Sequence, residues 1–169
     1  LKMALRIVCL AAALLLVLCK VTTAAVPTGC VQIKSAHKDL YLGSAAYYNT
    51  GRQHVTLKSA HSTAEWNIVR AGDGYRIKLF RTNNDLFAST AYTYDNDRRY
   101  VFIWDTGSVV QGTWDIQQMP NGAYSIRNKF HNEYLYSADY PSENWIFTWR
   151  RHQNPREDGQ FHWFINECS

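Results

Sequence analysis

Short apolar runs of four to seven residues, rich in aromatic and β-branched side chains, recur along most of the chain. Clusters of Gly, Asn, Asp and Pro separate these runs, at residues 49–51, 72–74, 83–85, 120–122 and 158–159. Apolar runs of this length between turn residues are typical of β-strands, and no stretch has the period of a long amphipathic helix. The pattern predicts an all-β protein of about twelve short strands.

A motif centred on tryptophan occurs three times. Trp66, Trp114 and Trp163 are 48 and 49 residues apart, and each is followed two positions later by isoleucine. A repeat at a fixed period indicates a fold built from equivalent units. Because large indoles that keep the period of a repeat bury extensive apolar surface, we expect these three residues to lie in the core.

Three further strand motifs recur in the same order within each unit. They lie at residues 31–34, 75–78 and 124–127; at 41–44, 86–89 and 134–137; and at 55–58, 101–104 and 146–149. This predicts a β-trefoil of three pseudo-symmetric repeats, approximately residues 30–73, 74–122 and 123–169. Six strands would close a short barrel, and six would pair into hairpins that cap one end. A β-sandwich and a three-bladed propeller are the alternatives; a sandwich would leave the period unexplained, and a propeller of three blades is below the usual number.

Residues 1–25 have the features of a secretory signal peptide. Lys2 and Arg6 accompany an apolar run over 7–19, which is too short to span a membrane comfortably, and small residues follow at 23–25. Cleavage after Ala25 would leave one domain, residues 26–169, secreted and extracellular. An uncleaved anchor is the alternative.

The predicted cleavage changes the charge of the protein. Loss of Lys2, Arg6 and Lys20 lowers the 18 basic residues to 15, against 14 acidic residues, which gives a net charge of +1. A domain so near neutrality lacks the broad basic field of a nucleic-acid-binding protein. We therefore expect no nucleic-acid partner, and also no membrane insertion, because no later stretch is apolar enough to span a bilayer.

Two cysteines remain after the signal region, Cys30 and Cys168, near the two ends of the domain. An oxidising destination favours a disulfide between them, which would bring the termini together. Two free thiols, or a bond to a partner chain, are the alternatives.

The sequence contains no recognisable catalytic or metal-binding motif. Its six histidines show no metal-ligand spacing, its serines lack a nucleophile-elbow context, and it has no glycine-rich phosphate loop. We expect no enzyme activity, no cofactor and no metal. The chain is interpreted as a binding module that acts as a monomer.

The tryptophan motif resembles the last strand of each repeat in ricin-B-type lectin β-trefoils, where a Gln precedes the Trp. The matching segments here are residues 111–114 and 160–163. With its aromatic excess, its signal region and its terminal cysteine pair, the domain is more closely similar to the tryptophan-rich secreted salivary proteins of Culex mosquitoes. This resemblance implies a protein of the saliva of a blood-feeding insect that binds carbohydrate on host cells or glycoproteins.

The lectin resemblance also implies candidate sugar-binding residues. The aromatic residue that contacts sugar in ricin-type lectins ends the third strand, at positions matched here by Lys58, Trp104 and Trp149. A sugar site needs an aromatic surface for the C–H face and planar polar groups for the hydroxyls. The family's key Asp is absent, since its positions hold Gly43, Ala88 and Tyr136. The predicted carbohydrate-binding residues are Trp104, Asp105, Gln111, Tyr136, Asp139, Trp149 and Gln160.

Other interpretations of these residues remain open. Trp104 and Trp149 would otherwise pack over the mouth of the barrel, and both glutamines would otherwise cap turns by bonding to the backbone. An alternative function is a protein-binding inhibitor or decoy of host haemostatic or immune proteins. On that hypothesis the contacts would come from the Tyr- and Arg-rich segments 92–100 and 150–158, because Tyr and Arg are frequent in interface hot spots.

Overall fold

A computed structural model describes residues 25–60, 64–105, 107–138, 144–151 and 154–169. Nearly all of the predicted signal peptide, residues 1–24, lies outside these ranges, and so does the candidate site residue Asp139.

The described residues form twelve β-strands, which confirms the predicted all-β content. The strands are β1 (Gly29–Ser35), β2 (Tyr41–Asn49), β3 (Arg52–Lys58), β4 (Trp66–Ala71), β5 (Gly74–Leu79), β6 (Asp85–Thr93), β7 (Arg98–Trp104), β8 (Thr113–Gln118), β9 (Tyr124–Asn128), β10 (Glu133–Ser137), β11 (Ile146–Trp149) and β12 (Trp163–Glu167). Two single-turn 3-10 helices precede β8 and β12, at Val110–Gly112 and Gly159–Phe161. In the described part of the chain, no helix has the length and apolarity needed to cross a membrane.

Alternation of apolar and polar residues along the strands builds the core. In β1, Val31 and Ile33 are fully buried, while Gln32 and Lys34 between them are partly exposed. This period of two is that of a strand with one face against the core. Because most strands carry such a pattern, their inward side chains form one hydrophobic cluster.

The three repeated tryptophans occupy equivalent places in this cluster. All three are fully buried. The indole Nε1–H groups of Trp66, Trp114 and Trp163 donate to the backbone carbonyls of Leu42, Leu86 and Leu135, at 3.0, 2.9 and 3.1 Å. Each indole therefore fills core volume and also satisfies its own polar group. The prediction that these residues belong to the core is confirmed.

All twelve strands belong to one antiparallel sheet that closes on itself. The hairpins β2–β3, β6–β7 and β10–β11 continue the hydrogen bonding of the strands before them, through the pairs β1–β2, β5–β6 and β9–β10. Strand β7 pairs with β6 and also with β3 and β11, so it joins the three hairpins. The pairings β1–β4 and β9–β10 close the sheet.

The predicted fold class, a β-trefoil of three repeats, is wrong, because the structure is a closed antiparallel β-barrel. The prediction separated a six-stranded barrel from a cap of hairpins, whereas here one continuous hydrogen-bonded sheet contains every strand. The physical reason is that pairing between hairpins, such as β3–β7, depends on contacts distant in sequence. A repeat period carries no information about such contacts. The repeat boundaries themselves stay a prediction.

The predicted disulfide is confirmed. Cys30 on β1 and Cys168, just after β12, are bonded, with their Cα atoms 5.5 Å apart. The backbone N–H of Cys168 also donates to the carbonyl of Cys30 at 3.1 Å, next to the β1–β12 ladder. The two ends of the domain are therefore held together both covalently and by strand pairing.

Candidate functional site

Trp104 and Gln111, two of the residues predicted to bind sugar, line one shallow cleft. Trp104 ends β7, and Gln111 lies in the 3-10 helix before β8. The cleft has a volume of about 180 Å³. The other residues that line it are Arg52, Phe87, Ser89, Thr90, Ala91 and Val109.

The Trp104 indole is held in a fixed orientation by two neighbours. The guanidinium carbon of Arg52 lies 4.5 Å from an indole ring centroid, a cation–π arrangement. The Phe87 ring contacts the indole edge-on, with centroids 5.4 Å apart. Arg52 and Trp104 are paired residues of β3 and β7, so the sheet register itself sets this contact. Trp104 remains partly exposed and offers a preorganised aromatic surface to the cleft.

Gln111 is anchored by its backbone and by one half of its side-chain amide. Its carbonyl accepts a hydrogen bond from Asn128 Nδ2 at 2.7 Å, and its Nε2 donates to Thr90 Oγ1 at 3.3 Å. The Oε1 atom of Gln111 has no hydrogen bond with any residue that the structure describes. Gln111 therefore combines a turn-stabilising backbone role with a side-chain acceptor at the cleft that no described residue occupies.

A buried carboxylate supports the cleft from below. Asp85, fully buried at the start of β6, accepts from Arg76 Nη1 at 2.5 Å and from Lys78 Nζ at 2.6 Å. The same Arg76 nitrogen donates to the carbonyl of Val109 at 2.9 Å. Since Val109 lines the cleft, this ion-pair network links the cleft wall to the strands beneath it.

His131 adjoins the polar end of the cleft. Its Nε2 lies 3.5 Å from Thr90 Oγ1. Burial lowers the pKa of His131 below its ordinary value, and the nearby Arg99 charge acts in the same direction. The neutral ring is therefore favoured beside the Thr90 hydroxyl.

Asp105, proposed from the sequence as a substitute for the missing lectin Asp, lies next to Trp104 but does not line the cleft. Its backbone N–H donates to the carbonyl of Gly51 at 3.2 Å. Its Oδ1 is buried and has no hydrogen-bond partner among the described residues. The structure thus places Asp105 toward the β2–β3 turn rather than toward the face that Gln111 lines.

The second predicted set, Tyr136, Trp149 and Gln160, is partly buried. The Tyr136 ring lies 5.1 Å from Trp149 and 5.2 Å from Phe161, measured between centroids. The Oε1 of Gln160 is buried, and its backbone carbonyl accepts from Ser137 Oγ at 3.0 Å. In this repeat the indole of Trp149 therefore packs against Tyr136, and sugar binding by these residues stays a prediction.

The Tyr- and Arg-rich segments are largely engaged with one another. Arg98 Nε donates to Asp95 Oδ2 at 2.7 Å, and the Arg98 guanidinium lies over the Tyr94 ring at 4.6 Å. The backbone N–H of Arg150 donates to the carbonyl of Asp97 at 2.9 Å. The bond between Arg150 and Asp97 joins the two segments, and the Arg98–Asp95 pair uses part of their charge internally.

An aromatic cluster covers the outer side of the hairpins. Its members include Tyr48, His54, Tyr92, Tyr100, Phe102 and Trp145. His54 lies 4.2 Å from the Trp145 ring, and burial lowers the pKa of its imidazole. Tyr47, Tyr48 and Tyr94 at the margin are 59%, 41% and 44% exposed. This margin is the part of the hairpin surface most available to a partner.

Cys30, Glu65 and Cys168 are the only described residues grouped closely enough to ligate a metal. Two of the three are joined in the disulfide, so neither offers a thiolate. This group is therefore unsuited to a metal.

Two residues of the cleft were missed in the sequence. Arg52 is brought to Trp104 by the β3–β7 pairing, which no local pattern reveals. Thr90 lies only two positions after Ala88, the residue matched to the lectin family's Asp. That offset was a usable signal, because a hydroxyl so close to the expected carboxylate can replace it as a hydrogen-bonding group.

Comparison with known proteins supports the resemblance drawn from the sequence. No protein-family model and no curated protein matches the chain. Among solved structures, a salivary protein from Culex quinquefasciatus of the Cysteine and Tryptophan-Rich family matches with a TM-score of 0.72 and 27% identity, over 86% of this chain and 97% of that one. A second Culex salivary protein described as belonging to that family matches with a TM-score of 0.71 and 21% identity, over 86% and 96%.

A designed threefold-symmetric protein, ThreeFoil, matches with a TM-score of 0.69 and 15% identity, over 83% of this chain and 99% of that one. At this identity the likeness concerns the fold alone. The resemblance to the tryptophan-rich salivary proteins of Culex mosquitoes is confirmed, and it covers 86% of the chain.

Proposed function

We propose that this chain is a secreted salivary binding protein that holds a saccharide in the cleft of Trp104 and Gln111, on host cells or glycoproteins. The salivary origin is supported by the Culex proteins to which the chain is similar. An oxidising, extracellular destination is supported by the disulfide. On this proposal the ligand is bound without chemical change.

The observation that carries the proposal is that Trp104 and Gln111 share one cleft. A sugar ring presents C–H groups on one face and hydroxyls around its edge. The indole supplies the apolar surface for the first, and Gln111 Oε1 and Thr90 Oγ1 supply hydrogen-bonding groups for the second. An aromatic surface beside a few fixed polar groups is the usual composition of a small-molecule site.

The size of the cleft limits what it holds. Its volume, about 180 Å³, is below the roughly 300 Å³ at which typical drug-sized sites begin. We therefore expect contact with one sugar residue at the end or branch of a glycan, and a correspondingly weak affinity for each site.

A glycan array with the purified protein tests the proposal. Trp104→Ala should abolish binding, because it removes the apolar surface of the cleft. Trp149→Ala is the matched control, since Trp149 also ends the third strand of a repeat but packs against Tyr136. Binding that survives Trp104→Ala, or that is lost only in the control, would refute the assignment of this cleft.

A second candidate function is binding of a host protein, which is favoured by the exposure of Tyr47, Tyr48 and Tyr94. Tyrosines are enriched in interface hot spots. Substituting all three by Ser should abolish binding to purified host haemostatic or immune proteins, measured by biolayer interferometry, while Trp104→Ala leaves it unchanged. A blank glycan array together with this result would replace the saccharide proposal.

A further inference from the structure

Arg52 contributes the one formal charge among the described residues that line the Trp104 cleft. The other lining residues have aromatic, aliphatic, hydroxyl or amide side chains. A concave surface whose only charge is positive raises the local concentration of anions and disfavours cations. The cleft is therefore electrostatically selective, although the domain as a whole is nearly neutral.

The charge of Arg52 has no carboxylate partner among the residues that the structure describes. Its guanidinium carbon lies 4.5 Å from the Trp104 ring and 5.2 Å from the Tyr92 ring, and its Nη1 donates to Asn49 Oδ1 at 3.3 Å. Its Nε is buried without an acceptor. Within the described ranges it forms no ion pair. Among the described residues, two aromatic faces and one long hydrogen bond compensate the Arg52 charge.

The other largely shielded arginines of this barrel do have counter-ions. Arg76 pairs with Asp85, and Arg99 makes a bidentate pair with Glu133. A shielded charge without a partner is unfavourable in free energy. Arg52 departs from this rule at the position where the cleft opens, which suggests that its missing partner comes from a ligand.

The acidic residue next to Trp104 in the sequence does not act as the counter-ion of Arg52. Asp105 follows Trp104, yet it is absent from the cleft lining, and its Oδ1 is buried and unpartnered. An anion that enters the cleft therefore faces the terminal nitrogens of Arg52. The Nε atom is already inaccessible, so Nη1 and Nη2 are the donors that a ligand can reach.

We infer that the cleft takes an acidic saccharide, whose carboxylate or sulfate pairs with Arg52 while the sugar ring contacts the Trp104 indole that Arg52 holds in place. This inference rests on the proposed function of the same cleft. A guanidinium recognises both kinds of oxyanion through charge-assisted, often bidentate hydrogen bonds. A carboxylate and a sulfate would therefore be bound by the same kind of contact with Arg52.

Matched glycan pairs test the inference with the purified protein. One pair is sialylated and desialylated N-acetyllactosamine, and the other is the same disaccharide with and without a sulfate group. The wild type should bind the acidic member of at least one pair about 10- to 100-fold more tightly, the range expected for one charge-assisted contact. This preference should shrink as salt is raised, because ions screen a partly exposed charge. The pair that shows the preference identifies the oxyanion.

Variants at Arg52 separate charge from packing. Arg52→Gln should reduce the affinity for the acidic glycan about 10- to 100-fold more than it reduces the affinity for the neutral glycan, because both glycans lose the packing of Arg52 on Trp104 and only the acidic one loses the charge contact. Arg52→Lys should retain part of the preference, because it keeps the charge but not the planar fork. Arg70→Gln is the matched control. Arg70 lies over the Tyr75 ring at 5.0 Å but does not line this cleft.

The outcomes distinguish this inference from the function on which it rests. An acidic-to-neutral ratio near one in the wild type, with neutral binding intact, overturns the inference alone. An acidic-to-neutral affinity ratio that stays the same in Arg52→Gln also overturns the inference alone. Absence of binding to every glycan overturns both. Should Arg52→Gln fail to fold, Arg52→Lys and the salt dependence of the wild type decide the matter.

Discussion

Removal of the Cys30–Cys168 disulfide is the perturbation whose magnitude follows most directly from the structure. The bond joins residues 138 positions apart in the sequence. In the chain-entropy model, the cross-link removes about 17 cal/mol/K of entropy from an unfolded chain with a loop of this length. This corresponds to about 5 kcal/mol of stability at 25 °C.

Urea unfolding followed by tryptophan fluorescence measures this effect, because three buried indoles report on the core. We expect Cys168→Ser to remain folded, since the β1–β12 ladder still pairs the two ends. With a denaturant slope of about 1–3 kcal/mol/M, the midpoint should fall by roughly 1.5–5 M.

Two further variants test whether the loss of stability comes from the disulfide bond itself. Cys30→Ser and the double variant should match Cys168→Ser within about 1 kcal/mol, because all three remove the same bond and couple completely. A loss of less than about 1 kcal/mol in Cys168→Ser would refute the reasoning. So would two single-variant losses that add up in the double variant.

Two further predictions concern buried charge and pH. Glu133→Gln keeps the shape of the side chain but leaves the Arg99 guanidinium buried without its counter-ion, so the free energy of unfolding should fall by about 3–5 kcal/mol. The more exposed pair Arg127–Asp115 is the control. Asp115→Asn should lower the free energy of unfolding by less than about 1 kcal/mol. Burial lowers the pKa of His54 in the folded protein. Below pH 6.5 the unfolded chain therefore binds more protons at this residue than the folded protein does. The stability present above pH 6.5 is lost as the pH falls toward the folded-state pKa. His54→Gln should therefore flatten the fall in urea midpoint below pH 6.5, and an unchanged slope would contradict this assignment.

The parts of the fold that local pattern determines could be predicted from the sequence. Apolar alternation predicted the strands, and the spacing of Trp66, Trp114 and Trp163 predicted three equivalent core indoles. The cysteine pair and an extracellular destination predicted the disulfide. Each of these depends on residue type at a short or regular spacing.

The connections between hairpins could not be predicted, because they depend on pairing between residues distant in sequence. The β3–β7 and β7–β11 ladders are of this kind, and the fold class was wrong for that reason. One local detail also differed. Gln111 was assigned to a strand, whereas Gly112 and Gln111 belong to a 3-10 turn, and the strand begins at Thr113.

The candidate site, like the fold, could be predicted from the sequence only in part. The pairing of Trp104 with Gln111 was predicted from a motif, and the structure brings these residues to one cleft. The equivalent pairing of Trp149 with Gln160 rests on the same motif. There, however, the Tyr136 ring packs against both Trp149 and Phe161. The motif does not encode which neighbours fill the space beside an aromatic side chain, and Arg52 was missed for this reason.

An NMR titration of the indole N–H resonances, with the saccharide that binds most strongly on the array, tests directly whether the Trp104 cleft holds the ligand. Assignment by Trp104→Phe, Trp145→Phe and Trp149→Phe identifies the three partly exposed indoles. We expect a saturable shift of the Trp104 resonance with little change at Trp145, at Trp149 or at the three core indoles. Shifts confined to other residues, or no shift with any saccharide, would contradict this expectation.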